Sequence, residues 1–132
     1  MREILFRGKA LKTSEWVFGF VQKKQVIGGV NWLIHEDLRA STAYHAPIVI
    51  NPSTIGQYTG LTDKNGTKIF EGDICKFESY IEEFTNYEIL WRVNMWVALA
   101  WEENIADVLD LFFCERSIII GNIHDNPELL EE

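Results

Sequence analysis

Apolar and polar positions alternate with period two along most of the chain, in stretches too short for anything but strands. Residues 3–7 (EILFR) predict a first strand, ended by the turn-prone Gly8-Lys9 and Lys12-Thr13-Ser14. Residues 16–21 (WVFGFV) predict a stronger one, with Trp16, Phe18 and Phe20 on one face and Val17, Gly19 and Val21 on the other. A strand apolar on both faces is sandwiched inside the protein or covered by another subunit. Its glycine lets a second backbone come close. Residues 25–34 (QVIGGVNWLI) are β-like at both ends around a turn at Gly28-Gly29, and 35–44 (HEDLRASTAY) read as a loop with one helical turn. The strand at 48–50 should stop at Asn51-Pro52-Ser53, because proline cannot donate to a ladder.

The second half carries denser instructions. In 57–77 (QYTGLTDKNGTKIFEGDICKF), Asp63-Lys64-Asn65-Gly66 is turn chemistry and Glu71-Gly72-Asp73 a second turn between two short strands. Residues 87–93 and 95–101 predict two strands meeting at Asn94, with Tyr87, Ile89, Trp91 and Val93 on the core side of the first. In 102–113 (EENIADVLDLFF) the period changes: Ile105, Val108, Leu109, Phe112 and Phe113 recur at helical spacing behind acidic residues, which predicts a helix. Residues 117–123 give a last strand, and 128–132 a helical stub with Pro127 near its first turn. The fold class is mainly β with minor α. Five strands over 69–123, with a turn after the first, suit a small SH3-like barrel in the C-terminal part, plus an N-terminal β-hairpin layer. The expected organisation is one domain, 1–52 forming the N-terminal layer and 53–132 the barrel part.

Composition narrows the field of functions. With 47% hydrophobic residues the chain has the material for a core. Twelve basic against twenty acidic residues give a net charge of -8, which opposes non-specific attraction to nucleic-acid phosphates and suits a basic protein partner. Met1-Arg2-Glu3 leads into alternating residues with no signal-peptide core, and no apolar run approaches the ~20 residues of a membrane span. A cytoplasmic location without a membrane partner is the expectation.

Candidate chemistry is sparse. Cys75 and Cys114 lie among apolar neighbours without a CxxC, and read as inert buried thiols; a nucleophilic pair of either with His124 would need a lowered thiol pKa. Glu71 and Asp73 flank Gly72; paired carboxylates can hold Mg²⁺ or do acid–base work, and a strand-start turn explains them equally well. His35, His45 and His124 are scattered, and Gly28-Gly29 is no phosphate loop. No cofactor, metal site or catalytic constellation is expected. Aromatics carry the one ambiguity: Trp16, Phe18, Phe20, Trp32, Tyr58, Trp91, Trp96 and Trp101 would make stacking platforms for bases if a basic groove ran beside them. Lys9, Lys12, Lys23, Lys24, Lys64, Lys68 and Lys76 never cluster beyond two along the sequence, so packing or a subunit interface is the better reading.

Two segments carry a resemblance. QYTGLTDKNGTKIFEGDICKF (57–77) resembles the signature block of the YopX family of small phage and prophage proteins, and IIGNIHDNPELL (119–130) its C-terminal signature. EILFRGKALKTSEWVFGF also resembles the family's start. The resemblance implies a mainly β chain with an SH3-like C-terminal part, encoded by a phage or an integrated element, and it transfers no catalytic or ligand residue. Asp63, Asn65, Gly66, Glu71, Gly72, Asp73, Gly121, Asn122, Asn126 and Pro127 are therefore expected as structural turn residues. The candidate interaction surface is Trp16, Phe18, Phe20, Tyr58 and Trp96. The expected role is non-catalytic: contact with other copies of the chain and with a phage or host protein. The alternative is a nucleic-acid-binding SH3-like module.

Overall fold

The computed structural model describes residues 3–36, 45–78, 85–101 and 105–130. Along the chain these form β1 (Phe6–Ala10), β2 (Trp16–Val26), β3 (Gly29–Glu36), β4 (Ile48–Thr62), β5 (Lys68–Phe70), β6 (Asp73–Phe77), β7 (Thr85–Arg92), β8 (Met95–Ala100), β9 (Ile105–Val108), α1 (Leu111–Cys114), β10 (Ser117–Asn122) and a closing 3-10 turn (Pro127–Leu130). The chain is mainly β: one five-stranded antiparallel sheet in the order β1-β2-β3-β4-β5, a second in the order β10-β6-β7-β8-β9, and one short helix. It divides into two compact units, Met1–Tyr58 and Thr59–Glu132. The expected loop over 35–44 lies, beyond Glu36, outside the described residues, and His35 and Glu36 belong to β3.

In the first unit β2 and β3 form a long hairpin around Ile27-Gly28, paired from Val26↔Gly29 to Gly19↔Glu36. Residues facing each other across strands share a side of the sheet. Val21 therefore lies beside Ile34, and Phe20 beside His35 on the opposite side. The core holds Ile34 and Ile50, both essentially inaccessible. Gly19 has the role expected of it: a side chain there would collide with the His35 backbone carbonyl. β1 pairs with both β2 and β4, so the pairings among the first four strands return on themselves. That is more than the hairpin layer read from the sequence.

Two expectations fail here for the same reason. Gly8-Lys9 is strand, not turn, and Pro52 does not end its strand, since β4 runs through it. The β1–β4 register shifts between Arg7 and Lys9, so the ladder jumps from Arg7↔Gly56 to Lys9↔Asn51. The surplus residues of β4 bulge outward, where Pro52 owes no ladder hydrogen bond. Side chains satisfy the bulge: Asn51 Oδ1 accepts from the Ser53 amide (3.1 Å) and hydroxyl (2.9 Å), and Thr54 Oγ1 accepts from the Lys9 amide at 2.8 Å.

The second unit is a meander, β6 to β9, with β10 returning to pair β6. The β7–β8 connection is the two-residue turn Val93-Asn94, both with positive φ (51° and 62°), as a right-twisting hairpin demands. Ile69, Cys75, Ile89, Ala98, Leu109, Phe113 and Cys114 form the core, with Leu61, Phe77, Tyr87, Trp96 and Ile119 packed around it. Of the residues expected on the core side of β7, Tyr87 and Ile89 are there, while Trp91 (49% exposed) and Val93 (83%) extend past its edge. The helix expected over 102–113 is not formed. Residues 102–104 lie outside the described residues; Ile105–Val108 pairs with β8 as a strand, and only Leu111–Cys114 is helical. Asp110 is its N-cap, Oδ1 accepting from the Phe113 amide at 2.9 Å. No helix among the described residues is long and apolar enough to cross a membrane.

Candidate functional site

The turn residues singled out in the sequence converge into a scaffold. Asp63 is buried, and its carboxylate serves three amides: Oδ1 accepts from Asn65 (2.9 Å) and Thr67 (3.0 Å), and Oδ2 from Ile119 (3.0 Å). The Lys64 amide donates to the Ser117 carbonyl at 2.9 Å. Gly72 sits at φ 91°, a left-handed turn position that Asn65-Gly66 reproduces with Gly66 at 82°. The Gly72 amide donates to Ile89 and its carbonyl accepts from Ile123, both at 2.8 Å. Asn122 Oδ1 accepts from His124 and Asp125, Asn126 donates its amide to the Asn122 carbonyl, and a Cβ at Gly121 would lie 2.5 Å from Asn126 Oδ1. Pro127 opens the 3-10 turn. The two signature segments are thus each other's hydrogen-bond partners.

Asp73 and the two candidate thiols are absorbed in the same way. Asp73 is buried, with Oδ2 accepting from the Phe70 amide at 2.7 Å. Among the described residues no three His, Cys, Asp or Glu side chains group as metal ligands would. Both cysteines are free and buried. Burial first, then the neighbouring Asp73 and Asp63 charges, pushes the Cys75 thiol far up; burial and Asp110 push Cys114 from 9.0 up to about 11. A nucleophilic thiolate needs the opposite shift.

Of the five aromatics of the candidate surface, Trp16, Phe18, Phe20 and Tyr58 belong to the first unit and Trp96 to the second. Tyr58 is buried at 8% exposure, and Trp96 packs against the core of the second unit. Trp16 is half-buried, with the Arg7 guanidinium 4.5 Å and the Lys9 ammonium 5.5 Å from its ring centroid. Phe18 and Phe20 are 43% and 44% exposed on one face of β2.

Folding creates two further sites. Lys64, Lys76 and Arg116, remote in sequence, line a pocket of about 190 Å³ with Glu78 and Ile118; Lys64 pairs with Glu78 at 3.6 Å. A second cleft of about 340 Å³ is lined by Phe77, Tyr87, Phe112 and Phe113 together with Asp107 and Asp110. Its rings pack edge-to-face and stacked: Phe77 lies 5.2 Å from Phe113 at 17° and 6.2 Å from Tyr87 at 79°. Sequence spacing gave no sign of either, because each draws on residues from several elements.

No curated protein matches the chain in sequence. Among solved structures, the crystal structure of protein EF1440 from Enterococcus faecalis is similar, with TM-score 0.52 and 26% identity, covering 99% of this chain and 100% of that one. The YopX protein family matches residues 5–131. The paired signature turns and a match running through both units agree: the chain belongs to the YopX family.

Proposed function

We propose that this is a non-catalytic phage or prophage accessory protein, acting in the host cytoplasm through protein contacts that include other copies of itself. The observation that carries the reading is the pair Phe18 and Phe20, more than two-fifths exposed on a strand whose opposite face already faces the core. Neighbouring apolar rings held on a rigid strand suit a contact surface better than a solvated one. The finer fold reading belongs with it: the order β10-β6-β7-β8-β9, with a helical turn before the last strand, is what an SH3-like barrel would use.

Light scattering over a concentration series tests the self-association. The mass should rise above that of the 15.3 kDa chain, and the double variant Phe18→Ser/Phe20→Ser should abolish the rise. A strict monomer at high concentration overturns it. The basic pocket of Lys64, Lys76 and Arg116 favours a second reading, an SH3-like module that binds nucleic-acid phosphates. Filter binding at low salt should then retain DNA or RNA, and Lys76→Glu should weaken retention. Absence of retention removes this reading.

A further inference from the structure

We propose that the aromatic cleft of the second unit receives the cationic side chain, lysine or arginine, of an extended basic protein segment lying along β9. The lining chemistry selects a cation. Four rings, Phe77, Tyr87, Phe112 and Phe113, line about 340 Å³; Phe77 and Phe113 stack on each other, and the exposed Phe112 ring offers the negative face potential that attracts an ammonium or guanidinium group. Asp107 and Asp110 add formal negative charge at the same cleft. Asp110 spends one oxygen on capping α1, whereas the Asp107 carboxylate has no hydrogen-bond or ion-pair partner among the described residues. Asp107 is exposed, so a cation in the cleft gains a pairing partner there and an acidic occupant is repelled. The volume is at the lower end of small-ligand sites, roughly 300 Å³ upward, and leaves room for one long side chain. The unit contains an internal precedent: the Arg116 guanidinium carbon lies 3.9 Å from the Phe112 ring centroid, while Arg116 is not part of the cleft lining.

A protein segment, rather than a free small amine, follows from the strand beside the cleft. β9 is outermost in its sheet and pairs with β8 alone among the described residues, and all four of its residues are exposed. Such an edge offers backbone donors and acceptors to an added strand. Val108, the last residue of β9, also lines the cleft, so an added strand would pass its mouth. The net charge of -8 draws a basic segment in from a distance. This site lies in the other unit from Phe18 and Phe20, so it stands or falls independently of self-association at β2.

The test is fluorescence anisotropy of a labelled hexalysine peptide with the full chain at about 0.15 M salt, where exposed-charge attraction is screened. A fully acetylated hexalysine serves as the neutral control. Asp107→Asn and Phe112→Leu alter exposed residues of the cleft, and Glu15→Gln removes an equal charge from an exposed site in the first unit. Saturable binding is expected for hexalysine and none for its acetylated form. Each cleft variant should weaken binding about tenfold, and Glu15→Gln less than about twofold. Equal losses from Asp107→Asn and Glu15→Gln, no loss from Phe112→Leu, or no hexalysine binding would each overturn the proposal. Amide shift mapping on the unmutated chain guards against misfolded variants: perturbations should centre on Val108 and Phe112, and a centre elsewhere overturns it as well.

Discussion

Asp63 shows how much a single side chain can hold when it is buried and fully used. Its two oxygens close the turn to Asn65 and Thr67 and secure the Ile119 amide of β10. Replacing it by alanine strands three amides at once, and a hydrogen bond to a charged group contributes about 1.5–3 kcal/mol. Asp63→Ala should therefore cost about 3 kcal/mol or more, read as a lowered urea midpoint at unchanged slope. Gly19 is the corresponding point in the first unit. A methyl group there meets the His35 carbonyl, a backbone atom that cannot rotate away. Gly19→Ala should destabilise by about 3 kcal/mol and increase amide exchange along β2 and β3. Neither effect should touch the aromatic cleft, since none of its lining residues bonds to Asp63 or Gly19.

At the level of elements, the sequence was most legible where the chemistry is local. The hairpins around Gly28 and Asn94, the turns at Asp63 and Gly72 and the Pro127 stub all rest on residues a few positions apart. It misled where distant pairing decides. Ile105, Val108, Leu109 and Phe113 have helical spacing, but β8 recruits the first two as an edge strand, exposed at 54% and 56%, and only Leu109 and Phe113 reach the core. A four-residue strand followed by one helical turn produces the same spacing, so the local pattern could not separate them. Pro52 misled similarly, because the bulge that accommodates it depends on β1. The cleft was illegible for the same cause: Phe77, Tyr87, Asp107 and Phe112 come from four different elements. The β7–β8 turn yields a prediction of opposite sign. Val93 is a β-branched residue held at φ 51° and 83% exposed, so its strain is offset by no burial. Val93→Asn should raise stability by about 1 kcal/mol in a denaturant titration.

For the molecule as a whole, charge and burial set the response to pH. The Cys114 thiol stays protonated in the fold up to about 11, against 9.0 when exposed, and Cys75 is displaced in the same direction. Between those values the unfolded chain gives up protons that the folded chain keeps. The stability that the thiols contribute is fully present below pH 9 and declines as pH rises toward 11. Thermal melts should show the decline, and Cys114→Ala should lessen it, leaving the part that belongs to Cys75. In the folded protein at neutral pH the Cys75 thiol should react with a disulfide reagent only as fast as the second unit opens. The overall charge of -8 hides local contrasts: one pocket gathers three cations and one carboxylate, while a cleft of the same unit gathers two carboxylates.

The bond from Asp63 to Ile119 has a consequence for the chain during synthesis. A ribosome completes the turn at Asp63 long before it reaches the amide that Asp63 is to hold, and β6 likewise waits for β10. The second unit is then a late folder, closed by its last strand, as expected where contacts join distant residues. Nascent chains arrested at residue 116 on a linker that clears the exit tunnel should be cut by protease within 59–116. Chains carried through Leu130 should resist, and equal resistance at both lengths would show that the meander stands without its final strand.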